Sequence, residues 1–146
     1  MAFRFTLAAV LGFRESIERR EELALSKIQL EMARVQHEID EVTAELAAEQ
    51  RRREESMQRP IPAAELQVML RAAEVATRRK QKLLESLAVL EQQRGEQMRA
   101  YQTAHRARRV LTDLKAQQLE IWEQQQVRTQ QKVLDDVFAS RSQRNS

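Results

Sequence analysis

The chain has 146 residues, enough for one ordinary domain, yet only two glycines, two prolines, one tryptophan, one tyrosine and four phenylalanines. Charged residues make up 32%, and arginine, glutamate, glutamine, alanine and leucine dominate, a composition of long helices and coiled coils that excludes a thick two-layer core. The absence of cysteine excludes a disulfide framework and a thiolate metal site and fits a reducing compartment, while a net charge of +3 does not by itself call for nucleic acid.

The opening, Met1 to Phe13, carries one basic residue between two phenylalanines. Arg14-Glu15-Ser16 follows where a signal peptide would place small cleavage-site residues, so the segment is read as part of a cytoplasmic protein. No apolar run approaches the roughly 20 residues of a membrane span. Helix one is expected from about Phe5 to Met57. Its seam is Ile28, Met32, Val35, Ile39, Val42 and Leu46, a coiled-coil rhythm of alternating four- and three-residue steps. The charged stretch Arg14 to Glu22 interrupts that rhythm.

Arg59-Pro60-Ile61-Pro62 ends the helix, because neither proline donates a backbone hydrogen bond and each drives its predecessor out of the α region. Pro62 suits the first turn of helix two, expected from about Pro62 to Phe138. Leu66, Met69, Ala73, Ala76, Lys80, Leu83, Leu87, Leu90 and Arg94 carry the same rhythm with polar interruptions. The helices would be roughly 80 and 115 Å long. A bend this short forces antiparallel neighbours, so the whole chain is read as one all-α antiparallel coiled-coil hairpin. Facing residue numbers then add to about 121, within one turn, which sets Val35 near Leu87, Ile39 near Leu83, and Leu46 near Val75 and Ala76. The same register puts Glu38, Glu41 and Glu45 beside Arg78, Arg79, Lys80 and Lys82. It puts Glu15, Glu18, Glu21 and Glu22 beside Arg99, Arg106, Arg108 and Arg109. Exposed ion pairs contribute about 0.2–1 kcal/mol each, so they select register more than they supply stability. Gly95, beside Arg94, is a weak point of helix two.

The residues point to no catalysis, cofactor or metal. General acid–base work needs a water-excluded pocket that two helices do not make. Gly12 and Gly95 form no phosphate loop, and His37 and His105 lie far apart in the register, as solvated helix histidines. The basic run Arg99 to Arg109 suits a phosphate backbone, but the acids of helix one neutralise it and only Tyr101 offers a stacking ring, so no nucleic acid is expected. The opening carries too few basic residues for firm membrane-surface binding. The aromatic residues are placed unevenly. Phe3, Phe5 and Phe13 open the chain, Trp122 and Phe138 lie near its close, Tyr101 part-way, and none falls between Arg14 and Ala100. Helix one should run out near the level of residue 118, leaving about twenty residues of helix two uncovered. Thicker packing at an open end is the bland explanation. Entry of this end into a partner is the preferred one, since aromatics are costly to expose and enriched at interfaces.

The N-terminal pattern Phe3-Arg4-Phe5-x-Leu7-x-x-Val10-Leu11-x-x-Arg14 resembles the opening of the FliJ family of bacterial flagellar export proteins. The tail Val133-Leu134-Asp135-Asp136-Val137-Phe138-Ala139-Ser140-Arg141 resembles the family's Leu/Met-Asp-Glu/Asp-x-Phe/Ala followed by a basic residue. Length, the lack of cysteine and the two-helix pattern extend the resemblance over the whole chain. It implies a soluble, non-enzymatic component of the flagellar type III export apparatus, similar in shape to the coiled-coil γ stalk of rotary ATPases. Such a protein is a monomer alone, cytoplasmic, and peripherally associated with the inner face of the cell membrane. The implied partners are the flagellar export ATPase, the export-gate membrane protein and the export escort chaperones. The end bearing both termini would enter the ATPase ring and promote its assembly and activity, beside a general chaperone role. Carried over by residue, the tip is Phe3, Phe5, Leu7, Val10 and Leu11 with Leu134, Asp135, Asp136, Phe138 and Arg141. Trp122 joins them only through the aromatic asymmetry. The stalk protein of virulence-type secretion systems is similar in shape and length, and the Phe-Arg-Phe opening leans flagellar. A generic coiled-coil scaffold and an arginine-rich nucleic-acid binder are the readings outside secretion.

Overall fold

The computed structural model describes residues 2–145. Two α-helices account for most of them, α1 over Ala8–Ser56 and α2 over Ala63–Arg144, with no strand among the described residues. They pack against each other as an all-α helical hairpin. α1 begins at Ala8 rather than Phe5: the Ala8 amide donates to the Phe5 carbonyl at 3.1 Å, and Leu11 donates to Leu7 at 2.9 Å. α2 continues past Phe138 to Arg144, and Arg141 and Arg144 in its last turn complement the negative end of the helix dipole.

At the bend, the Arg59 amide closes a turn onto the Ser56 carbonyl at 3.1 Å, and Pro60 can donate nothing further. Pro62 stands just outside α2. Its carbonyl accepts from the amides of Glu65 at 3.1 Å and Leu66 at 3.2 Å, and Glu65 supplies the negative charge that a first turn favours.

The chain packs as two compact units, one of them Glu21–Tyr101. In this unit every residue of α1 at the four-three spacing from Glu21 to Ser56 is buried or half-buried, with Leu25, Val35 and Ile39 buried and Val42 at 0% exposure. Leu66 to Leu90 of α2 answer with a half-buried seam, which breaks where Arg94 is exposed. Gln97 restores it: its amide donates to the Glu21 carboxylate at 2.5 Å and to the Glu21 carbonyl at 3.0 Å. Glu21 thus finds a partner within a turn of residue 100, where the expected register puts it. The charges Glu38 and Glu41, expected beside the basic residues of helix two, pair along their own helix instead, with Arg34 and His37. Arg78 likewise pairs with Glu74. Neighbours three and four apart on one helix are simply closer than charges across the seam.

A Cβ built at Gly95 meets nothing within 4 Å, so packing gives no reason for glycine there. Gly95→Ala should raise stability by about 1 kcal/mol through helix propensity, read as a higher midpoint in urea.

The second unit comprises residues up to 20 and from 102 onward. Phe5, Leu11 and Ala104 are buried among its described residues. Its seam is poorer in large aliphatics and includes charge, with Glu18, His105 and Arg108 half-buried.

Candidate docking surface at the chain termini

In the terminal unit the segment before α1 lies against α2. The Phe3 ring meets the Trp122 indole with centroids 6.0 Å apart and planes tilted by 57°, an ordinary attractive aromatic geometry. Phe5 and Leu11 are buried in the same unit. These four residues are therefore engaged within the chain, and they anchor the surface rather than form its outer face. Leu7, in the turn before α1, and Val10 and Phe13 of α1 are large apolar side chains left exposed here, each three residues from the next.

Past Gln126 the helix is uncovered: every residue from Val127 to Asn145 is exposed while remaining helical through Arg144. Leu134, Phe138 and Arg141, spaced at i, i+4 and i+7, share one face, and Asp135 and Asp136 turn away from it. Val127, Val133 and Val137 widen this face into a stripe, and Phe138 is 68% exposed. Val133, Val137, Asp136, Arg141 and Arg144 also line one shallow groove along the helix. Sequence reasoning named Leu134 and Phe138 but missed the three valines, of which Val127 and Val137 stand seven residues before and three after Leu134, and Val133 four before Val137.

Farther up, the unit holds a charged layer. Arg108 grips both oxygens of Glu18, through Nε at 2.5 Å and Nη2 at 3.2 Å, and His105 Nδ1 lies 3.1 Å from the same carboxylate. The Arg108 hydrogen bond holds the Glu18 carboxyl below the ordinary glutamate range; burial opposes this and His105 adds to it. A carboxyl with a lowered folded-state pKa stabilises the fold above its unfolded value, and that contribution disappears as pH falls through the lowered value. Trp122, the only tryptophan, reports on this unit. Its fluorescence melt should shift to lower temperature below about pH 4.3. The shift should be smaller in Glu18→Gln, and an identical acid shift in both proteins would contradict the assignment.

The unit Glu21–Tyr101 has a surface of its own. A cleft of about 190 Å³ is lined by Glu49, Arg52 and Arg53 of α1 and by Val68, Met69 and Ala72 of α2. A neighbouring groove shares Glu49 and Ala72 and adds Val75, Ala76 and Arg79. Glu49 Oε2 and Arg53 Nε are buried there without a hydrogen-bond partner, a costly state that a ligand group would relieve. Val68 and Val75 are 68% and 65% exposed, one heptad apart, a spacing that by itself marks no groove. Among the described residues no cluster of His, Cys, Asp and Glu could hold a metal ion, and no helix is long and apolar enough to cross a membrane.

No curated protein and no solved structure matches the chain. The family described as Flagellar FliJ protein does match it, over residues 3–146, a span that takes in both terminal motifs and both helices. A two-helix hairpin matched over that span belongs to the FliJ family and is a flagellar export-related protein.

Proposed function

We propose that the chain is the stalk of a flagellar type III export ATPase, entering the ATPase ring with its terminal unit and promoting assembly and turnover of that ring. One observation carries this reading most: a continuous helix exposes Val127, Val133, Leu134, Val137 and Phe138 where intramolecular packing has ended. Apolar residues on an uncovered helix have no stabilising role in the chain itself, and an apolar stripe edged by charge is what a partner groove recognises. Leu7 before α1, and Val10 and Phe13 on it, extend the same apolar character to the start of that helix. Arg141 and Arg144 give the tail a positive end that complements acidic rims.

The groove around Val68, Ala72 and Val75, with its unsatisfied Glu49 and Arg53 atoms, is assigned to a second partner, the export-gate membrane protein. Through these two partners the chain works at the inner face of the cell membrane. Contact with escort chaperones belongs to the same export role. A photo-crosslinking side chain at position 138 should label the export ATPase in cells, and one at position 75 should label the gate. Labelling of the ATPase from position 75 alone would reverse the assignment.

A further inference from the structure

Glu18, His105 and Arg108 stand where the terminal unit would otherwise bury aliphatic side chains. Glu18 falls one heptad after Leu11, which is buried, and Arg108 falls one turn after buried Ala104. The Glu18 and Arg108 side chains are only 15% and 24% exposed. The layer is bonded throughout: Arg108 takes both carboxylate oxygens, His105 meets one of them, and Arg108 Nη1 donates to the Thr112 hydroxyl at 3.3 Å. Ion layers so covered gain little over aliphatic side chains of equal size, because desolvation offsets the attraction. Their distinct property is direction.

The apolar residues around the layer have no such direction. Ala104, Ala107, Leu111 and Leu114 recur every three or four residues. Sliding α2 by one turn against Leu11 and Ile17 would exchange one small or aliphatic contact for another. For Glu18 the same slide puts Thr112 or Ala104 where Arg108 stands, and Arg109 or Tyr101 where His105 stands. The two-oxygen grip is lost either way, leaving a covered carboxylate short of partners.

We propose that Glu18, His105 and Arg108 are positioning residues that fix the axial register of the terminal unit. They thereby hold the Leu7–Val10–Phe13 face at one height relative to the Val133–Phe138 stripe. A one-turn slip would displace the two by about 5 Å and draw Phe3 off Trp122. The consequence for docking rests on the stalk reading above; the register itself does not.

The chain has no cysteine, so spin labels can be placed cleanly at Arg4→Cys and Glu123→Cys, next to the contacting rings, and the distance between them measured by pulsed electron resonance. The wild-type layer should give one narrow distance. The variants E18L/H105L/R108L and, as a milder pair, E18Q/R108M should remain folded with an unfolding midpoint no lower for the triple variant. Both should show a second distance displaced by about 5 Å, and both should stimulate the export ATPase several-fold less. A single unchanged distance in both variants overturns the inference. A split distance with full ATPase stimulation upholds the register role and counts against the stalk reading instead.

Discussion

Deleting residues 127–146 should leave hairpin stability within about 0.5 kcal/mol of the full chain while abolishing binding to the export ATPase. The small stability change follows from exposure: no described residue from Val127 onward is buried or half-buried, so the deletion removes no packed side chain. The large binding change follows from concentration of apolar groups, since interface energy gathers in a few large residues at the centre of a contact. Phe138 is the largest of them in the tail and is 68% exposed. Phe138→Ala alone should weaken ATPase binding by about 2 kcal/mol, close to thirtyfold, with an unchanged thermal midpoint. Titration calorimetry and a circular-dichroism melt on the same two proteins measure both halves. Loss of fold on deletion, or full binding after it, would show that the tail is not the docking element.

Val42→Asp should have the largest effect on the fold itself. Val42 is at 0% exposure in the middle of the longest unbroken part of the seam, between Ile39 and Leu46. The substitution removes a buried aliphatic side chain and sets a carboxylate in its place at a position closed to water. The cost should be about 3–5 kcal/mol, a large share of what a two-helix unit of this size can hold. Leu30→Asp, at a position 72% exposed on the same helix, should change stability by no more than about 0.5 kcal/mol. Urea unfolding followed by circular dichroism compares the pair, and similar midpoints for both would contradict the seam assignment.

These two contrasts show which features were legible in the sequence. The seam from Ile28 to Leu46 and the bend at Pro60 and Pro62 were readable because each depends on local spacing or local backbone chemistry. The seam's continuation through Glu49, Arg53 and Ser56, and back to Glu21, was not, since these residues are polar and a hydrophobic rhythm passes over them. Cross-helix charge pairing of Glu38 and Glu41 was expected from register alone, and intrahelical neighbours took those charges first.

At the termini the aromatic asymmetry located the surface without separating its anchors from its outer face. Phe3, Phe5 and Leu11 look alike in sequence to Leu7, Val10 and Phe13. Only the folded chain, with Phe3 against Trp122 and Phe5 and Leu11 buried, distinguishes them. The groove at Val68 and Val75 was illegible for a similar reason. An exposed valine has meaning there only because α1 brings Glu49 and Arg53 to its edge.

The stalk reading makes one demand that a generic coiled-coil scaffold does not. Purified full-length chain, added to the purified export ATPase at less than one chain per ATPase subunit, should raise the steady-state rate of ATP hydrolysis several-fold. The increase should be absent when residues 127–146 are missing. An ATPase rate unchanged by the full chain over a range that saturates binding, or raised equally by the truncated chain, would contradict the account.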